Sequence, residues 1–258
     1  MEEELGVRLL NRGSRKITLT NEGLLLRRRA EEILQLVDKT EKELIEQEEQ
    51  IEGRIIIGCG ELASALLLPD LFKSFHEKYP RVTFDLYTAT ADNVKDRMDR
   101  GLVDVGLLLE PIDIEKYDFI RLNMREKWVV FFPKGDSLSE KEHITAKDLS
   151  ALPLILPRRM SVQSELASWF GRYYENLNIM FTSNLSTNSI VMVSRGLAYA
   201  VAVEGSMPFL DHSKVTYRPL YPPLTATSVL AWKRGQPFSP AVMKFISCIK
   251  CFLGITVT

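Results

Sequence analysis

From Arg54 onward the chain alternates short apolar runs with amphipathic stretches, and it does so twice. An apolar run at 54–60 leads into an amphipathic stretch at 64–79 that Pro80 ends. A run at 82–87, a helical stretch at 93–100 closed by Gly101 and a run at 103–109 follow. The order then restarts, with runs at 153–156, 179–183 and 198–203 separated by helical stretches at 161–176 and 188–195. Strands alternating with helices at this spacing specify a parallel doubly wound α/β sheet. The two sets also echo each other locally. Asn93, six residues, then Arg100-Gly101-Leu102 matches Asn188, six residues, then Arg195-Gly196-Leu197. Each is followed by an apolar run that ends in Glu110 or Glu204. Asparagine at the helix start and glycine in the left-handed position after it account for the pattern. The chain therefore reads as two similar α/β subdomains.

Two further apolar runs, 127–132 and 228–232, belong to neither set. Each leaves one half and enters the other, so the final helical stretch, 240–253, must pack back on the first half. This predicts a clamp of two lobes, 53–126 plus 229–258 and 127–228, joined by two hinge strands over a cleft.

In parallel sheets, ligands bind beyond the carboxyl ends of the strands, where helix N-termini offer free N–H groups. That rule selects four loops: Cys59-Gly60-Glu61-Leu62-Ala63-Ser64, Thr88-Ala89-Thr90-Ala91, Pro157-Arg158-Arg159-Met160-Ser161 and Asn184-Leu185-Ser186-Thr187-Asn188. They are rich in hydroxyls and amides, which suits a small polar or anionic molecule. Ser64, Ser161 and Asn188 are equally explained as helix caps. Arg158 or Arg159 could grip a carboxylate or phosphate in bidentate fashion, or be a solvated surface arginine.

Catalytic constellations are poor. His76, His143 and His212 fall on a helical stretch and two polar loops, and the sequence has no glycine-rich phosphate loop, zinc pattern or nucleophile elbow. Cys59 reads as a small packed residue, because a reactive thiol needs a partner that lowers its pKa. Cys248-x-x-Cys251 has no second pair for zinc and sits in an apolar helical stretch. We expect no enzyme activity, no metal and no cofactor. Three cysteines without framework spacing suit a reducing compartment, and no apolar run approaches the roughly 20 residues of a membrane span. The expected location is cytoplasmic, with no membrane partner.

The charge is uneven although the net is −1. Residues 8–29 carry seven cations against Glu22, and 31–50 carry eight acids against Lys39 and Lys42. From about Asn21 to Ile51 apolar residues recur at spacings of four and three: Leu26, Ala30, Ile33, Val37, Leu44 and Ile51, interrupted by Thr40 and Gln47. Such a seam on a charged helix calls for a second helix, so 21–52 reads as a dimerising linker that Thr20 caps and Gly53 ends. Before it, a short helical end at the start of the chain runs into a polar turn carrying Arg12, Arg15 and Lys16 between two apolar runs. A basic hairpin beside a helix end has the form of the wing of a winged helix-turn-helix, set to touch phosphates.

These residues resemble the LysR-type transcriptional regulators. Residues 3–12 (EELGVRLLNR) and 17–23 (ITLTNEG) look like the end of that family's DNA-binding domain. Residues 53–58 (GRIIIG), Leu68-Pro69, 75–80 (FHEKYP), 104–108 (DVGLL) and 195–200 (RGLAYA) look like its effector domain. The resemblance implies a winged helix-turn-helix, a dimerisation helix and a type II periplasmic-binding-protein-like sensor, assembled as a dimer or tetramer on operator DNA. It implies that Gly60, Glu61, Ser64, Thr88, Thr90 and the stretch with Arg158, Ser161 and Ser164 line an inducer pocket, with Asn188 close by. It implies DNA contact by Arg12, Arg15 and Lys16. Family members carry a further segment before the point where Met1 stands, including the helix that enters the major groove. Residues 1–20 therefore read as a remnant of that domain, with impaired base readout. The other reading is a small-molecule-binding and dimerisation module without specific DNA binding.

Overall fold

The computed structural model describes residues 1–12, 17–45 and 51–254. A four-residue helix, α1 (Glu2–Leu5), ends at Gly6 in the left-handed conformation. An antiparallel pair follows, β1 (Leu10–Arg12) with β2 (Ile17–Leu19), in register Leu10↔Leu19. The Glu2 carboxylate accepts the Leu9 and Leu10 N–H groups and ties the helix to the hairpin. Helix α2 (Asn21–Ile45) begins as expected, with the Thr20 hydroxyl accepting from Gly23 N–H at 3.0 Å.

The remaining elements are β3 (Gly53–Cys59), α3 (Leu67–Lys78), β4 (Val82–Thr88), α4 (Ala91–Asp99), β5 (Val105–Leu109) and β6 (Tyr117–Pro133). Then come β7 (Ile144–Thr145), α5 (Ala146–Leu149), β8 (Leu154–Pro157), α6 (Met160–Phe170) and β9 (Ile179–Ser183). The chain closes with α7 (Ser186–Ser194), β10 (Tyr199–Val203), β11 (Val215–Tyr221), β12 (Thr225–Lys233) and α8 (Pro240–Phe252).

The strands run in the order β4-β3-β5-β12-β6-β10-β8-β9, with β11 on β6 and β7 on β11. Strands β3, β4 and β5 are parallel, as are β8, β9 and β10. Each parallel trio is extended by an antiparallel strand, β12 on β5 and β6 on β10. The long strand β6 serves both sets: its residues up to Lys127 pair with β12, and Trp128 to Pro133 pair with β10 or β11. The chain passes between the two sets at Lys127/Trp128 and Leu224/Thr225, where Trp128 N–H donates to Leu224 C=O at 2.9 Å.

Apolar burial explains the layers. Helix α8 returns to the first sheet, where Phe245 meets Phe72, Phe75 and Phe84 with ring centroids 5.1–6.1 Å apart. The opposite face is covered by Val94 and Met98 of α4. In the second sheet α6 contributes Val162, Leu166 and Phe170 to one face, and α7 places Ile190 and Val193 on the other. Gly101 and Gly196 both adopt φ +72°, the left-handed turn expected from the echo.

The echo's asparagines are not caps, however. Thr90 caps α4 by accepting from Asn93 N–H, and Asn188 lies inside α7. Ser64 lies within a 3₁₀ turn (Ala63–Leu66) and Ser161 inside α6, so neither caps a helix. The stretch 161–176 is not one helix: α6 stops at Phe170, and Gly171 at φ +54° turns the chain into a 3₁₀ segment.

Helix α2 lies on its own effector region through polar contacts. Lys39 Nζ binds Asp104, a fully buried carboxylate that also accepts Ile56 N–H at 2.8 Å, and the C=O of Gly101. Arg100 pairs with Glu32 at 2.9 Å. On the expected seam, Leu26 and Ala30 are half-buried, whereas Ile33 is 61% and Val37 47% exposed. The Leu44 side chain lies outside the described residues. Ile51, two residues before β3, packs against the chain's own core.

Asp148 closes a capping box with Thr145 and pairs with Lys141 at 2.7 Å. Burial raises its carboxyl, but the bonds to Lys141 and Thr145 outweigh that and hold the pKa down at about 2. A depressed folded value means stability that is present above the unfolded value and lost as pH falls toward about 2. Asp148→Asn is expected to lower stability at pH 7 by about 1 kcal/mol after allowance for solvent screening. Urea titrations at pH 7 and pH 2.5 check this, since the difference between the two proteins should shrink at the lower pH.

Candidate functional site

The four loops selected from sequence converge on one cavity between the two sheets. Its lining includes Gly60, Glu61 and Leu62 after β3, Ala89, Thr90 and Ala91 after β4, Pro157 and Arg159 after β8, and Asn184, Leu185 and Ser186 after β9. Leu109, Trp128, Val162, Ala202 and Val203 complete the wall, and the cavity has a volume of about 90 Å³.

Two charged side chains cross the cleft in opposite directions. Glu61, on the first sheet's side, places its carboxylate on the N-terminus of α7. It accepts Ser186 N–H at 2.5 Å, Thr187 N–H at 3.2 Å and the Thr187 hydroxyl. A carboxylate is favoured there because the first N–H groups of a helix lack intrahelical acceptors and the dipole is positive. Arg159, on the second sheet's side, reaches back. Its Nε pairs with Asp92 of α4 at 3.0 Å, Nη1 donates to Leu109 C=O at 2.7 Å, and Nη2 donates to Pro111 C=O. Its side chain is only 7% exposed.

At the hinge, the buried Glu126 of β6 accepts Ala63 N–H and Ser64 N–H at 2.9 Å each and the Ser228 hydroxyl of β12 at 3.1 Å. Near Arg159, burial pushes the Glu165 carboxyl up, with the Arg159 charge opposing it, and Glu165 Oε2 is buried without a partner. The sheets also touch directly: a Cβ on Gly205 would stand 2.2–2.3 Å from Ala63 atoms, backbone included. Gly205→Ala must therefore part the halves. We expect a loss of about 1–3 kcal/mol and faster proteolysis within the cleft loops, both measured against the wild-type chain.

Of the sequence candidates, Gly60, Glu61 and Thr90 line this cavity. Thr88 is exposed at the end of β4, level with Cys59, and Arg158 is exposed, its backbone N–H bonded to Ser183 C=O. Ser64 is fully buried beneath the cleft, with its hydroxyl unpartnered. Ser161 Oγ is also buried without a partner, Ser164 bonds Met160 C=O at 3.1 Å, and Asn188 is exposed on α7. The sequence pattern leaves Arg158 and Arg159 as alternatives, of which Arg159 lines the cavity, and it gives no signal for Trp128. Arg15 and Lys16 lie outside the described residues, and Arg12 is in β1. Burial pushes the Cys59 thiol up, with a Thr88 hydrogen bond opposing, which is no activation. Cys248 is half-buried and Cys251 exposed. Among the described residues no cluster of metal-ligating side chains occurs, and no helix is long and apolar enough to cross a membrane.

A cleft between two α/β halves joined by two strands is the form of a type II periplasmic-binding-protein-like fold. Residues 48–253 match the family model described as the LysR substrate binding domain. The chain belongs to the LysR family of transcriptional regulators. A relative from Bacillus subtilis (strain 168), named as the uncharacterized HTH-type transcriptional regulator YvbU, is 30% identical over 98% of this chain and 86% of its own length. The Hca operon transcriptional activator HcaR of Escherichia coli (strain K12) is 26% identical over 97% of this chain and 84% of its own length. Among solved structures, full-length CbnR complexed with its target DNA aligns at TM-score 0.71 with 19% identity, over 97% of this chain and 86% of that one. HinK of Pseudomonas aeruginosa, a LysR family regulator, aligns at 0.62 with 24% identity, over 96% and 84%. These likenesses support the effector fold. The relatives that carry a functional name are transcriptional regulators, not enzymes.

Proposed function

We propose that this LysR-family chain is a ligand-responsive regulator whose small-molecule inducer binds in the cleft between the two sheets. In this reading the sheets move as two subdomains about the crossings near Trp128 and Thr225, and closure on the ligand sets how the protein holds operator DNA. The observation that supports it most is the convergence of four loops on one cavity spanned from both sides by Glu61 and Arg159. Both side chains would have to remake their bonds if the halves turned, so a ligand that favours one arrangement shifts the balance. Assembly as a homodimer or tetramer is proposed through the exposed Ile33 and Val37 of α2, with Leu26 and Ala30 beside them. DNA contact is proposed through the β1–β2 hairpin and the basic residues Arg12, Arg15 and Lys16 of its sequence.

In this reading the hairpin touches phosphates, whereas base edges are read in the major groove by a recognition helix. Gel-shift titration compares this polypeptide with one extended by the codons upstream of Met1, on DNA from its own upstream region. Specific binding by the longer protein supports the regulator reading, and no specific binding by it contradicts that reading. The second reading, a binding and dimerisation module without specific DNA contact, is favoured if only mixed dimers with the longer protein are found. A strictly monomeric chain in ultracentrifugation excludes the α2 seam in either case.

A further inference from the structure

We propose that the cleft's ligand is an uncharged, mostly apolar small molecule with one hydrogen-bond acceptor, such as an amide, ketone or ester carbonyl, taken by the indole N–H of Trp128. A carboxylate is disfavoured. The inference rests on the cleft reading above and narrows it to a chemical class.

Three observations point the same way. First, among the described residues Arg159 is the one cation of the cavity lining, and its Nε, Nη1 and Nη2 are already engaged by Asp92, Leu109 C=O and Pro111 C=O. Second, two of the three helix N-termini that face the cleft, those of α4 and α7, are served from within, while α6 starts after Arg159 without a side-chain cap. Glu61 occupies the start of α7, and Thr90 caps α4, which also carries Asp92 in its first turn. An incoming anion would meet the Glu61 carboxylate across a wall built from Leu62, Ala89, Leu109, Val162 and Val203. Like charges repel more strongly there than in water, because the effective dielectric is lower. Third, Trp128 is 3% exposed, lines the cavity, and its Nε1 is buried with no acceptor. A buried donor left unpaired is costly, and native proteins rarely keep one without a reason. A neutral carbonyl satisfies that donor and asks nothing of the spent arginine.

The test uses matched pairs of equal shape, benzamide against benzoate and hexanamide against hexanoate, titrated into the 258-residue chain at pH 7. Calorimetry and tryptophan fluorescence read the affinities. The amide of at least one pair is expected to bind about tenfold more tightly than its acid. Trp128→Phe should weaken that amide by about tenfold, the loss of one buried hydrogen bond. Glu61→Gln should narrow the gap by admitting the acid. The proposal is overturned if the acids bind as well as or better than the amides, if neither amide binds, or if Trp128→Phe leaves the amide unchanged. Should Trp128→Phe fail to fold, the wild-type comparison decides. Ala89→Leu, which fills the cavity, separates the two levels. Acid binding that Ala89→Leu abolishes overturns the ligand class and keeps the cleft. Binding indifferent to Ala89→Leu overturns both.

Discussion

Replacing Arg159 with alanine is expected to lower stability by about 2–3 kcal/mol, the range for hydrogen bonds to a charged group, and to loosen the two sheets. The side chain is 7% exposed and spends its guanidinium donors on three acceptors from the opposite half. Asp92, 57% exposed, regains water easily when the partner leaves. The carbonyls of Leu109 and Pro111 do so only if the cleft opens, so opening becomes the cheaper arrangement. Arg159→Lys should not restore the wild type, because an ammonium cannot present a planar fork to three acceptors. Chemical denaturation gives the stability, and hydrogen exchange at residues 157–163 and 109–112 gives the opening. Equal stability and unchanged exchange for Arg159→Ala would show that the arginine holds nothing across the cleft.

The second large effect is expected at Phe245. Its side chain is fully buried and touches Phe72, Phe75 and Phe84, so α8 is bound to α3 and β4 through one aromatic cluster. Phe245→Ala should cost about 3–5 kcal/mol, the sum of lost transfer energy and the cavity left behind. Because the loss of α8 strips one face of the first sheet, the variant should expose that sheet before the second. Denaturation followed by hydrogen exchange, with protection of β3 and β5 lost ahead of β8 and β10, is the expected record. Uniform loss in all four strands would mean that the halves unfold as one unit.

Much of this architecture is legible in the chain because its punctuation is strong. Pro80, Gly101 and Gly196 stop helices where sterics require it, and apolar runs mark the strands between them. The four cleft loops follow from strand direction alone. Finer placements depend on contacts that no local pattern carries. Glu61 finds its partners 125 and 126 residues away, at Ser186 and Thr187. Arg158 and Arg159 are adjacent, and only the path of the chain into α6 decides which is buried. Trp128 looked like an ordinary strand residue because its place on the crossing depends on both sheets. The caps were within reach: Thr90 stands three residues before Asn93, the spacing at which a hydroxyl meets a backbone N–H. Ile51 continues the spacing of the α2 seam, yet the chain's own core claims it.

The central claim is that two halves are tied across a cleft by Glu61 and Arg159 and move when those ties change. The most direct measurement is the distance between them. Nitroxide labels at Asn93→Cys on α4 and Asn188→Cys on α7, both exposed, sit on either side of the cleft in a Cys248→Ser, Cys251→Ser background. Pulsed electron–electron resonance should give one narrow distance in that protein, and a longer, broader distribution once Glu61→Gln and Arg159→Ala are added. An unchanged narrow distance in the labelled protein carrying both Glu61→Gln and Arg159→Ala would contradict the account, since the halves would then be held together by something other than these two side chains.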